Sequence, residues 1–557
     1  MYPVNISPSS RVAKGSSLRT PNSRGRVIAF LALPLILFTA GCQPASGQAA
    51  DEQPISLLTA ALPETLNPLS GFDSYGLGKI NESLFTLEGE PDQLPNLVPL
   101  LAAKEPTISA DSLVWDISLS QGIKFSDGTS FDAQDVVASY QAILDPRTAS
   151  PLAGSLENLE SVSAPNEHTV RFRLKEAQTS FKTSLLIGIA PAELADPAKP
   201  VAESALSRTP VGTGPYAVED FSSAQLVLTA NPNYRTGPVQ ASPVIYEAAP
   251  DDNARSQRLA TGGFTGTVLP PRLAHSFAGR AGYEVLTATS ADWRGISLPA
   301  EHPFTSEPEV RLALNLAVDR EQLIDAVLDG SGRPAYTFVS PEYGRSYAAK
   351  ATFAHDPERA AALLEATGWV ESEHGVRSKD GTEAAFTVLH NPGDTLRRDL
   401  SLAVAAQLAE LGITVDVRAA TFDEAEPRSN YDAIMLGGGD DPYDVDTQLY
   451  KMLHSSYPDA GAYYDNPSRY ADPAMDEQLH IGRTSLDPDA RSTAYRKVQQ
   501  LYVQQPSMLL LAFLDHSYVQ RSDVSEHWDT SSLLLEPHDH GTTWGPWAKI
   551  HEWTRKQ

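Results

Sequence analysis

The chain has a single cysteine in 557 residues, Cys42. No intrachain disulfide can form, and a cysteine-based zinc site is excluded. Positive charge is scarce. The 43 Lys and Arg stand against 70 Asp and Glu, a formal net charge of −27. So acidic a surface repels phosphate backbones, which argues against nucleic acid as a partner. It also keeps the chain off anionic lipid heads unless something covalent holds it there. Long hydrophobic runs are missing as well. The stretch 27–40 would make roughly 21 Å of helix, short of a hydrocarbon core of about 30 Å. No later segment is apolar for long enough to span a membrane. Catalytic signatures are absent: there is no G-x-S-x-G, no H-E-x-x-H, no Walker loop and no complete G-x-G-x-x-G. Gly76-Leu-Gly78 lacks the third glycine. We therefore expect no enzyme and no cofactor.

Apolar residues make up 41% of the chain, enough for sizeable cores, and 42 prolines are scattered through it. That composition suits many short elements and turns. At roughly 100–200 residues per domain the length suggests two to four domains.

The N-terminus reads as an address. Five basic residues, Arg11, Lys14, Arg19, Arg24 and Arg26, precede the apolar stretch, and small residues follow it. That order describes a secretory signal over 1–41. Thr39-Ala-Gly-Cys42 resembles a bacterial lipobox, although Thr39 stands where Leu is usual. On that reading Cys42 carries lipid, and the acyl chains supply membrane affinity. The alternative is a free cysteine just past an ordinary signal. Residues 42–53 are small and polar and form a flexible tether.

The early half alternates like strands. Leu113, Trp115, Ile117 and Leu119 share one face, as do Val170, Phe172 and Leu174. The later half reads α/β. Helices are expected over 309–328, from Asp356-Pro357 to Gly368, over about 396–411, and from Asp487-Pro488 to about 504. Strands are expected over 386–389, 413–417, 431–436 and 508–513. Such alternation indicates a mostly parallel sheet with both faces covered.

Several segments resemble one family, the solute-binding proteins of family 5, which are peptide- and nickel-binding lipoproteins of bacterial ABC transporters. Residues 122–140, GIKFSDGTSFDAQDVVASY, are close to its signature. Locally, Asp127-Gly128 supplies a turn and Asp132 can cap the helix that follows. Leu62–Pro68, Pro210–Tyr216, Asn231–Tyr234 and Val310–Arg320 match further family segments in order. Two places depart from it. Thr261-Gly-Gly-Phe-Thr replaces a Gly-Glu-x-Asp run, and the proline-rich loop after residue 330 is reduced.

The resemblance implies an α/β, two-lobed periplasmic-binding-protein (type II, flytrap) fold, with a satellite domain inserted in the first lobe. Domain I would comprise 54–90, 207–300 and 516–557, the satellite 91–206 and the opposite lobe 301–515. It implies an extracytoplasmic, lipid-anchored monomer that captures a short peptide by hinge closure and delivers it to membrane permease subunits. A receptor for nickel or a metal–chelator complex is the alternative within the family, with His454 and His516 as candidates. A non-transport peptide sensor is a more distant one.

Met435-Leu-Gly-Gly-Gly-Asp-Asp-Pro-Tyr-Asp-Val-Asp446 ends a strand and enters a loop. The resemblance gives Asp440, or else Asp441, the role of pairing with a peptide's α-ammonium. The competing reading is a solvated or calcium-binding loop, though EF-hand spacing is lacking. Phe72, Asp73 and Tyr75 occupy a usual ligand-facing loop of the family, or form an ordinary surface turn. Trp293 and Arg294 would stack on and pair with a ligand, or pack the hinge. Arg397 and Arg398 would meet a ligand carboxylate, or sit exposed in a first helical turn. His538 and His540 alternate as metal ligands can, or belong to a C-terminal segment whose Trp544, Trp547 and Trp553 pack back onto domain I.

Overall fold

The computed structural model describes residues 54–90, 93–195, 199–438, 444–456, 466, 468–530, 533–535 and 541–557. Cys42, Asp440, Asp441, His538 and His540 lie outside them.

Two long strands, Tyr283–Ser297 and Met508–Arg521, pair antiparallel from Tyr283 opposite Arg521 to Ser297 opposite Met508. Residues 508–514 are all buried, as suits a strand covered on both faces. The apolar pattern alone ends this strand at Phe513. It continues because Ser517–Gln520 pair with Gly266–Leu269.

These strands lie at the centre of an 11-stranded mixed sheet. On one side Tyr283–Ser297 adds Ala433–Gly437, then Ala385–His390, then Thr414–Ala419, the last three mutually parallel. On the other side Met508–Arg521 adds Gly266–Leu269, Ile55–Thr59, Val244–Ala248, Gln225–Ala230 and Tyr216–Phe221. Each flank builds its own apolar cores, so the sheet divides into two lobes. The long strands pass from one to the other. Their pairing slips between Thr289 and Trp293, and again between Arg294 and Gly295. Such irregularities bend and twist a strand locally.

Inserted in the first lobe is a separate four-stranded antiparallel sheet, with Val114–Ser118 between Thr107–Ile108 and Thr169–Leu174, and Leu159–Asn166 outermost. Helix Ala133–Leu144 packs on it, Tyr140 meeting Phe172 edge-on at 4.8 Å. The signature segment makes this geometry locally. Asp127 Oδ1 accepts from Thr129 N (2.9 Å) and fixes the turn. Asp132 accepts from Gln134 N (2.7 Å), while Asp135 reaches back to Asp132 N (2.8 Å), a capping box.

The single helix expected over 309–328 is two, Pro308–Ala317 and Arg320–Leu328. Val318 is extended, and Asp319 caps the second helix through Gln322 N (3.1 Å). The break leaves carbonyls without helical partners, and the buried Arg320 guanidinium takes them. It donates to Asn315 O (2.9 Å) and Val318 O (3.4 Å), and also to Leu510 O (2.8 Å) on the long strand. Similarly, the strand expected from Tyr431 begins at Ala433, and Tyr431 is exposed.

The C-terminal residues return to the first lobe, where Trp547 and Trp553 are buried in its core. Lys79 Nζ donates to Thr543 O (2.8 Å) and Ala548 O (3.2 Å) and ties this segment down. Gly266 permits the contact, since a Cβ there would collide with the Trp547 ring. Among the described residues no helix is long and apolar enough to cross a membrane.

Candidate functional site: the cleft between the lobes

Between the lobes lies a cavity of about 890 Å³. The first lobe contributes Leu62, Asp252 and Arg255, the second Asn391, Asp394 and Arg397, and the long strands Arg294, Asp515 and His516. Its size falls in the range of small-molecule sites, about 300–1,000 Å³.

The cavity's charges are largely paired within the protein. Arg255 Nη2 meets Asp252 Oδ1 at 2.6 Å, with both side chains nearly buried. Arg397 Nη1 meets Asp394 Oδ2 at 2.6 Å, and Arg333 Nη1 meets Asp515 Oδ1 at 2.7 Å. Where the strands cross, the fully buried Asp292 meets two side chains. Arg294 Nη1 donates to its Oδ1, and His516 Nε2 stands 2.9 Å from its Oδ2. The Arg294 guanidinium lies against Gly437, where any Cβ would collide with its Nη1 and Cζ. A side chain of the cavity thus occupies the room that a Cβ at Gly437 would need.

Arg294 and Arg397 both line the cavity, whereas the candidates beside them, Trp293 and Arg398, do not. Trp293 is fully buried in the second lobe and packs edge-on against Phe338 at 5.2 Å. It cannot stack on a ligand, because successive strand residues face opposite sides of the sheet. Arg398 points outward and pairs with its neighbour Asp399 (2.8 Å). One residue along a helix turns a side chain by about 100°, which carries Arg398 off the cleft face. Arg397 keeps a buried Nε without a hydrogen-bond partner among the described residues.

Phe72, Asp73 and Tyr75 border a shallower depression of about 360 Å³, which shares Ala61, Pro63 and Glu64 with the main cavity. The Asp73 carboxylate is already engaged. Its Oδ2 accepts from Lys79 N (3.2 Å) and Ile80 N (3.5 Å). Burial pushes its pKa up to about 6, against the opposing pull of Lys79. Tyr75 also reaches a small cavity of about 170 Å³ shared with Asp446, Tyr450 and Arg483. His454 lies away from the main cavity, stacked on Tyr450 at 4.5 Å and bonded to Ser456 Oγ at 2.7 Å. Among the described residues no three His, Cys, Asp or Glu side chains are grouped to hold a metal ion.

Sequence reasoning missed Asp252, Arg255, Asp394 and Thr395. The Asn391-Pro-Gly-Asp394 turn after a strand was the available signal for the last two, since strand ends facing a cleft carry ligand-facing loops.

Two lobes joined by crossing strands, with a cavity of this size between them, define a clamshell binding protein. Comparison with known proteins agrees. Residues 96–459 match the profile of bacterial extracellular solute-binding proteins, family 5. Protein XP55 of Streptomyces lividans is 35% identical over 483 residues, covering 86% of each chain. The "Probable di/tripeptide-binding protein 5" of Pseudomonas aeruginosa is 30% identical, covering 89% of this chain and 95% of its own. Among solved structures, NikZ from Campylobacter jejuni in complex with Ni(L-His) superposes with a TM-score of 0.79 over 90% of this chain and 99% of its own, at 24% identity. The chain belongs to the family 5 bacterial extracellular solute-binding proteins.

Proposed function

We propose that this protein captures short peptides between its lobes and delivers them to the membrane permease of an ABC importer. The observation that carries this reading is the 890 Å³ cavity, built from both lobes and floored by the strands that join them. A peptide in that cleft is held through its backbone, with side chains in roomy pockets. Arg397, whose Nε has no hydrogen-bond partner among the described residues, suits a carboxylate of the ligand. Asp440 or Asp441, following the Gly437 strand end, supplies the carboxylate that an α-ammonium needs when it leaves water. Arg294 lines the floor of the cavity. Lipid on Cys42 holds the protein at the outer face of the membrane.

Native mass spectrometry of the purified protein tests the reading. Peptide masses released on unfolding, together with calorimetric binding of unblocked tri- to hexa-alanine, support it. A co-purifying metal–chelate complex with no peptide binding replaces it with the nickel-type reading.

A further inference from the structure

Two groups of hydrogen bonds join the moving parts directly. The first links the lobes. Asp252 opens the helix Asp252–Ala260 in the first lobe. Thr395 opens the helix Thr395–Ala409 in the second. The Thr395 backbone N–H and hydroxyl both donate to Asp252 Oδ2, at 3.0 and 2.6 Å. The second helix already has its own cap, Asp394, which accepts from Arg397 N at 2.8 Å. A helix start leaves several amides without partners inside the helix. Here a carboxylate from the opposite lobe takes one more of them. That carboxylate is held in place from behind by Arg255.

The second group links the satellite to the second lobe. Ser180 Oγ donates to Asp446 Oδ2 at 2.6 Å, and Thr179 Oγ1 donates to the Arg483 carbonyl at 3.1 Å. Asp446 is buried and is gripped from its own lobe by Arg483 Nε at 3.0 and 3.1 Å. Each group therefore has the same build: a carboxylate fixed by an arginine of its own lobe, and a hydroxyl donor brought to it by the other part.

We propose that these are closure latches, which hold the clamshell shut by contacts of the chain itself and set the fraction of molecules in the closed form. The proposal rests on the clamshell reading of the family. It adds that the satellite takes part in closure through Thr179 and Ser180. A hydroxyl bonded to a carboxylate is a charge-assisted bond, stronger than a neutral one. Both acceptors are pre-positioned, so little ordering is lost when the latch forms. The donors Thr395 and Ser180 do not line the main cavity, so changing them biases every ligand's affinity alike and leaves selectivity to the cavity wall.

The test uses single-molecule energy transfer on the full chain without ligand. Dyes are attached through Glu219→Cys in the first lobe and Leu402→Cys in the second, both exposed positions, with Cys42→Ser in the background. The parent should show a closed population. Thr395→Val and Ser180→Ala should each lower the closed-to-open ratio by roughly tenfold or more, the usual worth of a hydrogen bond to a charged group. Thr395→Ser keeps the hydroxyl and should restore the ratio, which separates a latch from a packing defect. A parent with no closed population overturns the proposal, and so do distributions that Thr395→Val and Ser180→Ala leave unchanged. Since no ligand is added, the latches can fail while peptide capture stands, and the reverse.

Discussion

Replacing Arg294 with Met removes the guanidinium that meets Asp292 beneath the cleft. Asp292 is fully buried and the Arg294 side chain is 4% exposed, so solvent screens this pair little. Removing one member of a buried pair leaves the other charge poorly compensated, at a cost of about 3–5 kcal/mol. Other groups also touch these residues, so the pair is best isolated by a double-mutant cycle with Asp292→Asn. We expect Arg294→Met alone to lower the unfolding free energy by about 3–5 kcal/mol. The double variant should fall short of the summed single losses by at least about 1.5 kcal/mol, the lower end of measured couplings for close charge pairs. The assay is urea unfolding followed by tryptophan fluorescence, with Trp293 as an adjacent reporter. Repeating it in 1 M salt should change the coupling little, because buried pairs are weakly screened. A coupling below about 0.5 kcal/mol, the ordinary scatter of additivity, would refute the claim that Asp292 and Arg294 act as one unit.

Three further outcomes can be checked separately. Asp73, with its pKa raised to about 6, binds a proton more tightly folded than unfolded. Its contribution to stability is greatest below about pH 4 and is lost as pH rises toward 6. Relative to Asp73→Asn, the parent should lose at most about 3 kcal/mol across that window at 1.36 kcal/mol per unit, and a flat difference in urea midpoints contradicts this. Asp440→Asn should weaken an unblocked alanine peptide by about 2–5 kcal/mol while barely affecting an N-acetylated one, and equal losses in calorimetry dismiss ammonium recognition. Cys42→Ser should move the protein from the membrane fraction to the soluble one, and retention with membranes rules out the lipid anchor.

Local chemistry was the legible part of the sequence. The turn at Asp127-Gly128, the cap at Asp132 and the apolar alternation around Trp115 and Phe172 each follow from neighbours a few residues apart. The family segments then carry the whole two-lobed plan. Pairs of adjacent candidates were not legible. Strand alternation separates Trp293 from Arg294, and helical rotation separates Arg397 from Arg398. Which member faces the cleft depends on what covers the other side. The break at Val318 was hidden because Arg320, which takes the freed carbonyls, reads in sequence as an ordinary exposed helical arginine. Asp252 belongs to no pattern at all, and the turn before Thr395 marks a cleft-facing loop without naming its partner. The two are 143 residues apart, and only the packing of one lobe against the other brings them together.

The first lobe is woven from distant stretches of chain. Ile55–Thr59 pairs with Val244–Ala248 and Gly266–Leu269, and the latter pairs with residues near 520. Trp547 then fills the space that Gly266 leaves open. This lobe cannot be finished until almost the whole chain has been delivered, and its loop-closure entropy must be met before the contacts reward it. Early folding is thereby confined to local units such as the satellite. If the chain is exported unfolded from its N-terminus, as the proposed outer-face location asks, it stays incompletely folded until its last strand emerges.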